Sequence, residues 1–258
     1  KKNIIEDKNF LKNITLNYKL NGINQVRSLE TKVFEKLEST NQENDLINRS
    51  PTFKKFSDIE INNIEKTISI NKNMYINKPL ILPKGYKLVI SSGIEITIAK
   101  KGLILLQGPL IIEGENMKPT IIRRIENGKG ISILHSSEPS KISFAKFENL
   151  KANKDFSINV SGGLSFYDSP VIISNSEFSN FSSEDSLNLV RSQFQIHNSR
   201  FTGNKSDAID IDFSNGKIEN SIFENNGNDS IDISGGEVFL NNLEINSSGD
   251  KAISIGKK

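Results

Sequence analysis

The C-terminal half of the chain repeats itself at intervals of about 22 residues, and this period constrains the fold more than any other feature. Two series of residues recur at this interval: Asp185, Asp207, Asp229 and Asp250, and Asn175, Asn198, Asn220 and Asn242. Each of them precedes a short stretch of alternating apolar and polar residues, as in a strand with one buried face. A single unit of this length cannot bury its apolar face, whereas a stack of such units can. The repeat therefore predicts the rungs of a parallel β-solenoid.

Aligning the repeats places apolar residues above one another in two columns: Phe178, Phe201, Phe223 and Ile245, and Leu189, Ile211, Ile233 and Ile255. Only every second residue of a strand faces inward, so a hydrophobic content of 35% suffices for such a core. The absence of Cys excludes disulfides, thiolate catalysis and Cys-based zinc sites.

Alternation with a period of two also runs upstream of the repeats, beginning at Ile59. It is broken by turn signals at residues 83–85, 91–93 and 108–109. Strands this short leave no room for crossover helices, which excludes doubly wound folds and (β/α) barrels. We expect an all-β solenoid over residues 56–258.

Residues 1–55 have a different pattern and are predicted to form a linker or a partial domain. A single amphipathic helix is predicted there over residues 24–38 from five apolar residues at helical spacing: Val26, Leu29, Val33, Phe34 and Leu37. Ser50 precedes Pro51, which favours extended backbone and marks the boundary between the two regions.

Several segments carry a resemblance to a known family: residues 166–169 (FYDS), 184–192 (EDSLNLVRS), 206–214 (SDAIDIDFS), 227–235 (GNDSIDISG) and 249–256 (GDKAISIG). They resemble the pectate-lyase-like, right-handed parallel β-helix proteins of bacteria. More narrowly, they resemble a β-helix module of bacterial cell-surface proteins, some of which also carry a spore-coat-H-type kinase domain. The resemblance is close over the last hundred or so residues and loose over residues 59–165. It implies a single-stranded, right-handed parallel β-helix with three sheets, and further rungs after Lys258.

The strongest candidate for chemistry is a group of carboxylates in two adjacent repeats. Because the Ile residues of these strands point inward, Asp210, Asp212 and Asp232 are predicted to point outward, with Asp210 nearly above Asp232. Asp207 and Asp229 are predicted to stack at the turn before the strand. Stacked carboxylates repel one another unless a cation or a proton intervenes.

Three interpretations of this acidic face remain open. One is a general acid/base pair that acts on a polysaccharide. Another is an oxygen-ligated Ca²⁺ site at Asp210 and Asp232, the one cofactor considered. The third is a solvated polar ladder in which Asn188, Asp210, Asp232 and Ser254 occupy one column. The segment around Asp207 and Asp210 is distantly similar to the catalytic segment of polygalacturonases, although the Gly-His-Gly and Arg-x-Lys segments of that family have no counterpart.

Three further residues are candidates beside the carboxylates. Arg191 is expected either to neutralise Asp212, to receive a uronate carboxylate or to form an ordinary surface ion pair. Tyr167 is a candidate for stacking on a sugar, with packing at the edge of the core as the alternative. Asn188 and Asp212 complete the predicted ligand-binding set.

The leading functional prediction is a non-catalytic surface or envelope module that binds glycan or acts as a rigid spacer. Whether the chain is an enzyme stays open: the alternative is a lyase, hydrolase or epimerase of an acidic polysaccharide that uses Asp207, Asp210, Asp229 and Asp232, with help from Arg191. The expected partners are a polysaccharide or other domains of a larger chain, and the expected location is extracellular or in the cell envelope. With 33 Lys and Arg against 31 Asp and Glu, no nucleic-acid surface is expected. The sequence also lacks an apolar run of membrane-spanning length and a signal peptide at its start.

Overall fold

The structure is a computed structural model that describes residues 15–19, 25–30, 49–153 and 160–256. The chain divides into two compact units, Lys1–Gln42 and Glu43–Lys258. Across the described ranges there is no α-helix, and no helix is long and apolar enough to cross a membrane. The fold is therefore carried by strands.

The described part of the first unit is an antiparallel hairpin of β1 (Thr15–Lys19) and β2 (Val26–Glu30). A helix is predicted over residues 24–38, but residues 26–30 form the strand β2 instead. Residues 31–38 lie outside the described residues. A helix gains most of its stability by burying its apolar face, but Val26 and Leu29 are 61% and 53% exposed. Val26 is a β-branched residue that pairs across the hairpin with Lys19, so strand pairing replaces the helix.

The second unit contains three stacks of parallel strands and a short cap. Before the first rung lie a 3-10 helix (Phe53–Lys55) and β3 (Glu60–Asn62), which pairs antiparallel with β4. Sheet one consists of β4 (Thr67–Ile70), β7 (Lys87–Ile90), β10 (Leu110–Glu113), β13 (Ser140–Ser143), β16 (Val171–Ser174), β19 (Gln193–His197) and the first parts of β22 (Asn215–Asn226) and β24 (Val238–Ser248). Sheet two consists of β5 (Met74–Ile76), β8 (Glu95–Ile98), β11 (Thr120–Arg124), β14 (Ala145–Glu148), β17 (Glu177–Ser179), β20 (Arg200–Thr202) and the second parts of β22 and β24.

Sheet three carries the predicted acidic face. It consists of β6 (Pro79–Ile81), β9 (Leu103–Leu106), β12 (Ile131–Leu134), β15 (Gly162–Tyr167), β18 (Asp185–Val190), β21 (Asp207–Asp212), β23 (Ile231–Ser234) and β25 (Ile253–Ile255). One strand from each sheet makes one rung, and eight rungs follow one another. The all-β parallel β-helix predicted from the repeat is confirmed.

The core is built from the predicted columns, except that Ile255 in the last rung is 75% exposed. The register places Phe178, Phe201, Phe223 and Ile245 above one another, and likewise Leu189, Ile211, Ile233 and Ile255. The rings of Phe178 and Phe201 stack with centroids 4.5 Å apart, and those of Phe201 and Phe223 follow at 5.0 Å. Stacked aromatic rings stabilise the core beyond the area they bury. At the N-terminal end Phe53 is buried in the same core, although it precedes residue 56, where the solenoid is predicted to begin.

The recurring Asn residues turn the chain from sheet one to sheet two. Asn175, Asn198, Asn220 and Asn242 all have φ near +50°, in the left-handed region. Asn is among the few residues with a side chain that tolerate this conformation, which explains why it recurs at each corner. The corners fix the register of the rungs, and this register positions the side chains on sheet three.

Candidate functional site

One column of outward-facing residues runs through all eight strands of sheet three, and we call it the outer column. From the first rung to the last it contains Ile81, Leu105, Ser132, Ser165, Asn188, Asp210, Asp232 and Ser254. The predicted stacking of Asn188, Asp210, Asp232 and Ser254 is confirmed. The column is apolar at its N-terminal end and becomes acidic in the sixth and seventh rungs, where Asp210 and Asp232 are half-buried.

A second column of carboxylates lies where sheet three begins, and we call Asp185, Asp207 and Asp229 the corner column. Asp207 Oδ1 accepts hydrogen bonds from Asn228 Nδ2 at 2.7 Å and from the backbone N–H of Asp229 at 2.8 Å. Asp229 Oδ1 accepts the backbone N–H of Lys251 at 2.8 Å. Both carboxylates thus link one rung to the next. The structure places these two predicted catalytic residues in the framework of the fold.

Asp185 occupies the corner column but does not make the same link to the next rung. The N–H of Asp207 donates instead to the carbonyl of Glu184 at 3.0 Å. Asp185 is 3% exposed, its carboxyl accepts a hydrogen bond from Ser161, and its Oδ2 has no partner. Burial raises the pKa of Asp185 to about 7, and the charges of Asp207 and Glu184 add to the increase. Asp185 was visible in the repeat, but nothing in the sequence distinguished it from Asp207.

Asp210 is the central carboxyl of the site. Burial, followed by the neighbouring charges of Asp185, Asp212 and Asp232, raises the pKa of Asp210 to about 8. Asn188 Nδ2 donates to Asp210 Oδ2 at 2.8 Å. Because its pKa lies above neutrality, Asp210 carries its proton at pH 7 and is able to donate a hydrogen bond.

Asp212 and Tyr167 lie beside Asp210 and respond to the same charges. Burial raises the pKa of Asp212, the charge of Asp232 adds to this, and hydrogen bonds to Asp210 and Asn188 oppose it. Burial raises the pKa of Tyr167 to about 12, with contributions from Asp212, Asp185 and Asp210. Tyr167 therefore keeps its phenolic proton, and the predicted ligand-binding residues do lie together.

Asn188 lies underneath the carboxylates and is fully buried. Its amide nitrogen donates to Asp210, but its Oδ1 has no hydrogen-bond partner. A buried acceptor without a donor costs about 1–3 kcal/mol. Asn188 Oδ1 and Asp185 Oδ2 are therefore two unsatisfied acceptors at the base of the site, which sequence reasoning did not detect.

Arg191 does not neutralise Asp212. Its guanidinium donates to both oxygens of Asp168, from Nε and from Nη2, at 2.8 Å each. His135 Nδ1 lies 3.0 Å from the same carboxylate. Arg191 has φ of +47° at the corner after β18, and the guanidinium beside Asp168 holds the pKa of that carboxyl below its ordinary value. The structure assigns Arg191 the third of its predicted roles, a surface ion pair.

The described ranges contain no group of three or more His, Cys, Asp or Glu side chains that could hold a metal ion. Asp210 and Asp232 remain neighbours in register, as the Ca²⁺ interpretation requires. Asp210 keeps its proton at neutral pH, however, and a carboxyl must lose its proton to bind a metal ion.

A shallow groove on sheet one was also missed by sequence reasoning. It has a volume of about 490 Å³ and crosses several rungs. Its lining includes amide, charged and aromatic side chains: Gln193, Gln195, Asn215, Lys217 and Phe239. These residues occupy outward positions of β19, β22 and β24, which the alternation indicated, but their convergence depends on the register between rungs.

Chemically, the site on sheet three combines a protonated acid with acceptor oxygens. Asp210 is able to donate, while Asp232 and the two unsatisfied oxygens of Asp185 and Asn188 are able to accept. Such a set matches ligands with several hydroxyl or amino groups.

The family model for the right-handed β-helix region matches residues 113–257, which is more than half of the chain. No curated protein matches the chain. The match covers β11 to β25 and includes every residue of the acidic site. Because the matching family is right-handed, the predicted right-handed winding is confirmed together with the fold. The chain belongs to the right-handed β-helix family.

Proposed function

We propose that this β-helix module binds glycan on the acidic part of sheet three and does not catalyse a reaction on it. The observation that carries the proposal is the outer column from Asn188 to Asp232, where polar side chains repeat at the rung spacing of about 4.8 Å. A polysaccharide is itself a repeating chain of hydrogen-bonding groups, so a row of acceptors and one protonated acid complements it. Tyr167 adds a half-buried aromatic ring, which packs against the apolar outer residues of the earlier rungs.

Two contacts favour binding over catalysis. Asp207 and Asp229, half of the predicted catalytic set, accept backbone N–H groups of the following rung. Arg191, the predicted electrophilic helper, is held by Asp168. The side chains left to meet a ligand are acceptors and one protonated acid, which suits recognition of hydroxyl groups.

The test is direct binding to a panel of neutral, amino and acidic oligosaccharides, measured by isothermal titration calorimetry. We expect at least one class to bind the chain, and the double variant Asp210→Asn, Asp232→Asn to lose that binding by about tenfold or more. The double variant Glu113→Gln, Glu244→Gln replaces two exposed carboxyl groups on the other sheets by amides and serves as the control. Absence of binding across the panel, or equal loss in the control, would contradict the proposal.

Catalysis is a second candidate, favoured by one observation. Asp210, with its pKa raised to about 8, is hydrogen-bonded to Asp212, and such a pair is able to act as general acid and base. The reaction would be lysis, hydrolysis or epimerisation of a polysaccharide, as predicted for an acidic substrate. New reducing ends or unsaturated products that vanish in Asp210→Asn would establish it. Unchanged glycans after long incubation would exclude it.

The rigid-spacer role and the extracellular or envelope location are also proposals. Eight stacked rungs with a continuous core supply the stiffness that a spacer needs. Cell fractionation with an antibody against the module tests the location, and recovery from a cytosolic fraction alone would contradict it.

A further inference from the structure

The base of the acidic site has more acceptors than donors. Asn188 is fully buried with Oδ1 unpartnered, and Asp185 is 3% exposed with Oδ2 unpartnered. The amide of Asn188 contacts Asp210, so the first unsatisfied oxygen lies inside the group of carboxylates. A ligand that satisfies these oxygens must bring N–H or O–H groups.

The charges around these acceptors are predominantly negative. The charged groups that act on Asp210 are the carboxylates of Asp185, Asp207, Asp212 and Asp232, and Glu184 acts on Asp185 in the same sense. Two cations lie at the ends of the site, and each has its own carboxylate partner. Arg191 acts on Tyr167 and is paired with Asp168, and Lys251 acts on Asp232 and is paired with Asp250 and, at 3.8 Å, with Asp229 Oδ1.

Unsatisfied acceptors within a field of carboxylates complement a positively charged donor. An ammonium group supplies N–H donors together with the opposite charge, and charge-assisted hydrogen bonds are about twice as strong as neutral ones. A uronate supplies a further carboxylate, which the site would repel. The electrostatics thus oppose the acidic substrate predicted from the sequence.

We propose that the acidic site on sheet three selects glycans with free amino groups, such as oligomers of glucosamine, over neutral and acidic glycans. This inference rests on the proposed glycan-binding function and names the sugar class that the same site takes. The ammonium group binds at the charges of Asp212 and Asp232, beside Asp210, and lies above the buried oxygens Asn188 Oδ1 and Asp185 Oδ2.

The experiment compares three probes by calorimetry: oligomers of glucosamine, of N-acetylglucosamine with the same linkage and length, and of galacturonate. The first two differ only in acetylation of the amine. We expect the glucosamine oligomer to bind about tenfold tighter than its acetylated counterpart, a difference of about 1.4 kcal/mol. Because the attraction is electrostatic, added salt should narrow this difference.

Two variants locate the effect. Asp232→Asn keeps the shape of a half-buried side chain and removes one charge, so we expect it to reduce the preference for the amine while preserving binding of the acetylated oligomer. Glu113→Gln removes a charge from sheet one and should leave the preference unchanged. Far-ultraviolet circular dichroism of each variant confirms that it folds like the parent chain.

The outcomes separate this inference from the proposed function. Equal or tighter binding of the acetylated or galacturonate oligomer overturns the amine preference and leaves glycan binding intact. A preference for the amine that is undiminished in Asp232→Asn also overturns the inference, because the selecting charge would then lie elsewhere. Absence of binding by all three probes overturns the amine preference, and absence of binding across the wider panel overturns the proposed function.

Discussion

The corner column and the outer column place the same residue type in the same rungs and give it opposite roles. Asp207 and Asp210 are three positions apart, and each stacks with its counterpart one repeat later. Asp207 accepts two hydrogen bonds from the next rung, one of them from a backbone N–H. Asp210 receives one amide N–H and otherwise faces other carboxylates. The difference shows that a repeat fixes where a carboxylate lies, whereas the donors around it fix what it does.

The same comparison explains the electrostatics of the two columns. Burial raises the pKa of Asp207, but the N–H of Asp229 and the amide of Asn228 oppose this increase. Burial and the charges of four carboxylates all raise the pKa of Asp210. Asp207 and Asp229 therefore support the fold, whereas the outer carboxylates are kept at a cost to it, which is typical of a binding surface.

The largest loss of stability is expected from breaking the corner column. Asp207→Ala removes the acceptor for two donors, one of which is the buried N–H of Asp229, and should lower the free energy of unfolding by about 2–3 kcal/mol. Asp207→Asn keeps an acceptor oxygen and should cost clearly less. Urea denaturation followed by circular dichroism measures both. Equal costs for the two variants would show that the hydrogen bonds are not the reason for the loss.

An effect of opposite sign, confined to high pH, is expected from Asp210→Asn. With a pKa of about 8 in the folded chain and an ordinary value near 4 when unfolded, Asp210 keeps its proton in the folded state while the unfolded state loses it. The unfolded state then binds fewer protons, so the stability of the parent chain falls as the pH rises between about 4 and 8.

Asn at this position has no ionisable group and should remove that slope. We expect the variant to differ little from the parent chain at low pH and to be more stable at pH 9 by several kcal/mol, because each unit of the difference in pKa corresponds to about 1.4 kcal/mol. Urea midpoints across this pH range provide the measurement. Parallel stability curves for parent and variant would indicate that Asp210 ionises at an ordinary pH.

The smallest effect is expected from calcium. Since Asp210 is protonated at neutral pH and no three candidate ligand side chains cluster in the described ranges, Ca²⁺ should leave the melting temperature unchanged relative to a chelator. Differential scanning fluorimetry at increasing Ca²⁺ reports any binding, because a ligand of the folded state raises the midpoint with its concentration. A saturable increase would restore the Ca²⁺ site at Asp210 and Asp232.

The fold and the outer column could be predicted from the sequence because both follow from the spacing of residues along the chain. A period of 22 residues and alternation within each strand suffice to place Asn188, Asp210 and Asp232 in register. The hairpin at Val26–Glu30 was not accessible, because the same apolar spacing fits a helix until a pairing partner is known.

The roles of the charged residues were also beyond the sequence. The acceptor role of Asp207 depends on the direction of one N–H in the next rung, and the partner of Arg191 depends on a left-handed corner that directs its side chain to Asp168. Contacts between rungs decide both, and a repeat pattern does not record which donor a side chain meets. The unsatisfied oxygens of Asp185 and Asn188 depend on burial in the same way.

The central claim is that the outer column holds a carboxyl, Asp210, that stays protonated at neutral pH and faces a ligand, whereas Asp207 of the corner column is bound by donors of the next rung. Titration of the side-chain carboxyl ¹³C resonance of Asp210 by nuclear magnetic resonance, assigned through Asp210→Asn, tests it most directly. The account predicts a midpoint at a pKa of about 8. A midpoint at the ordinary value near 4 would contradict it.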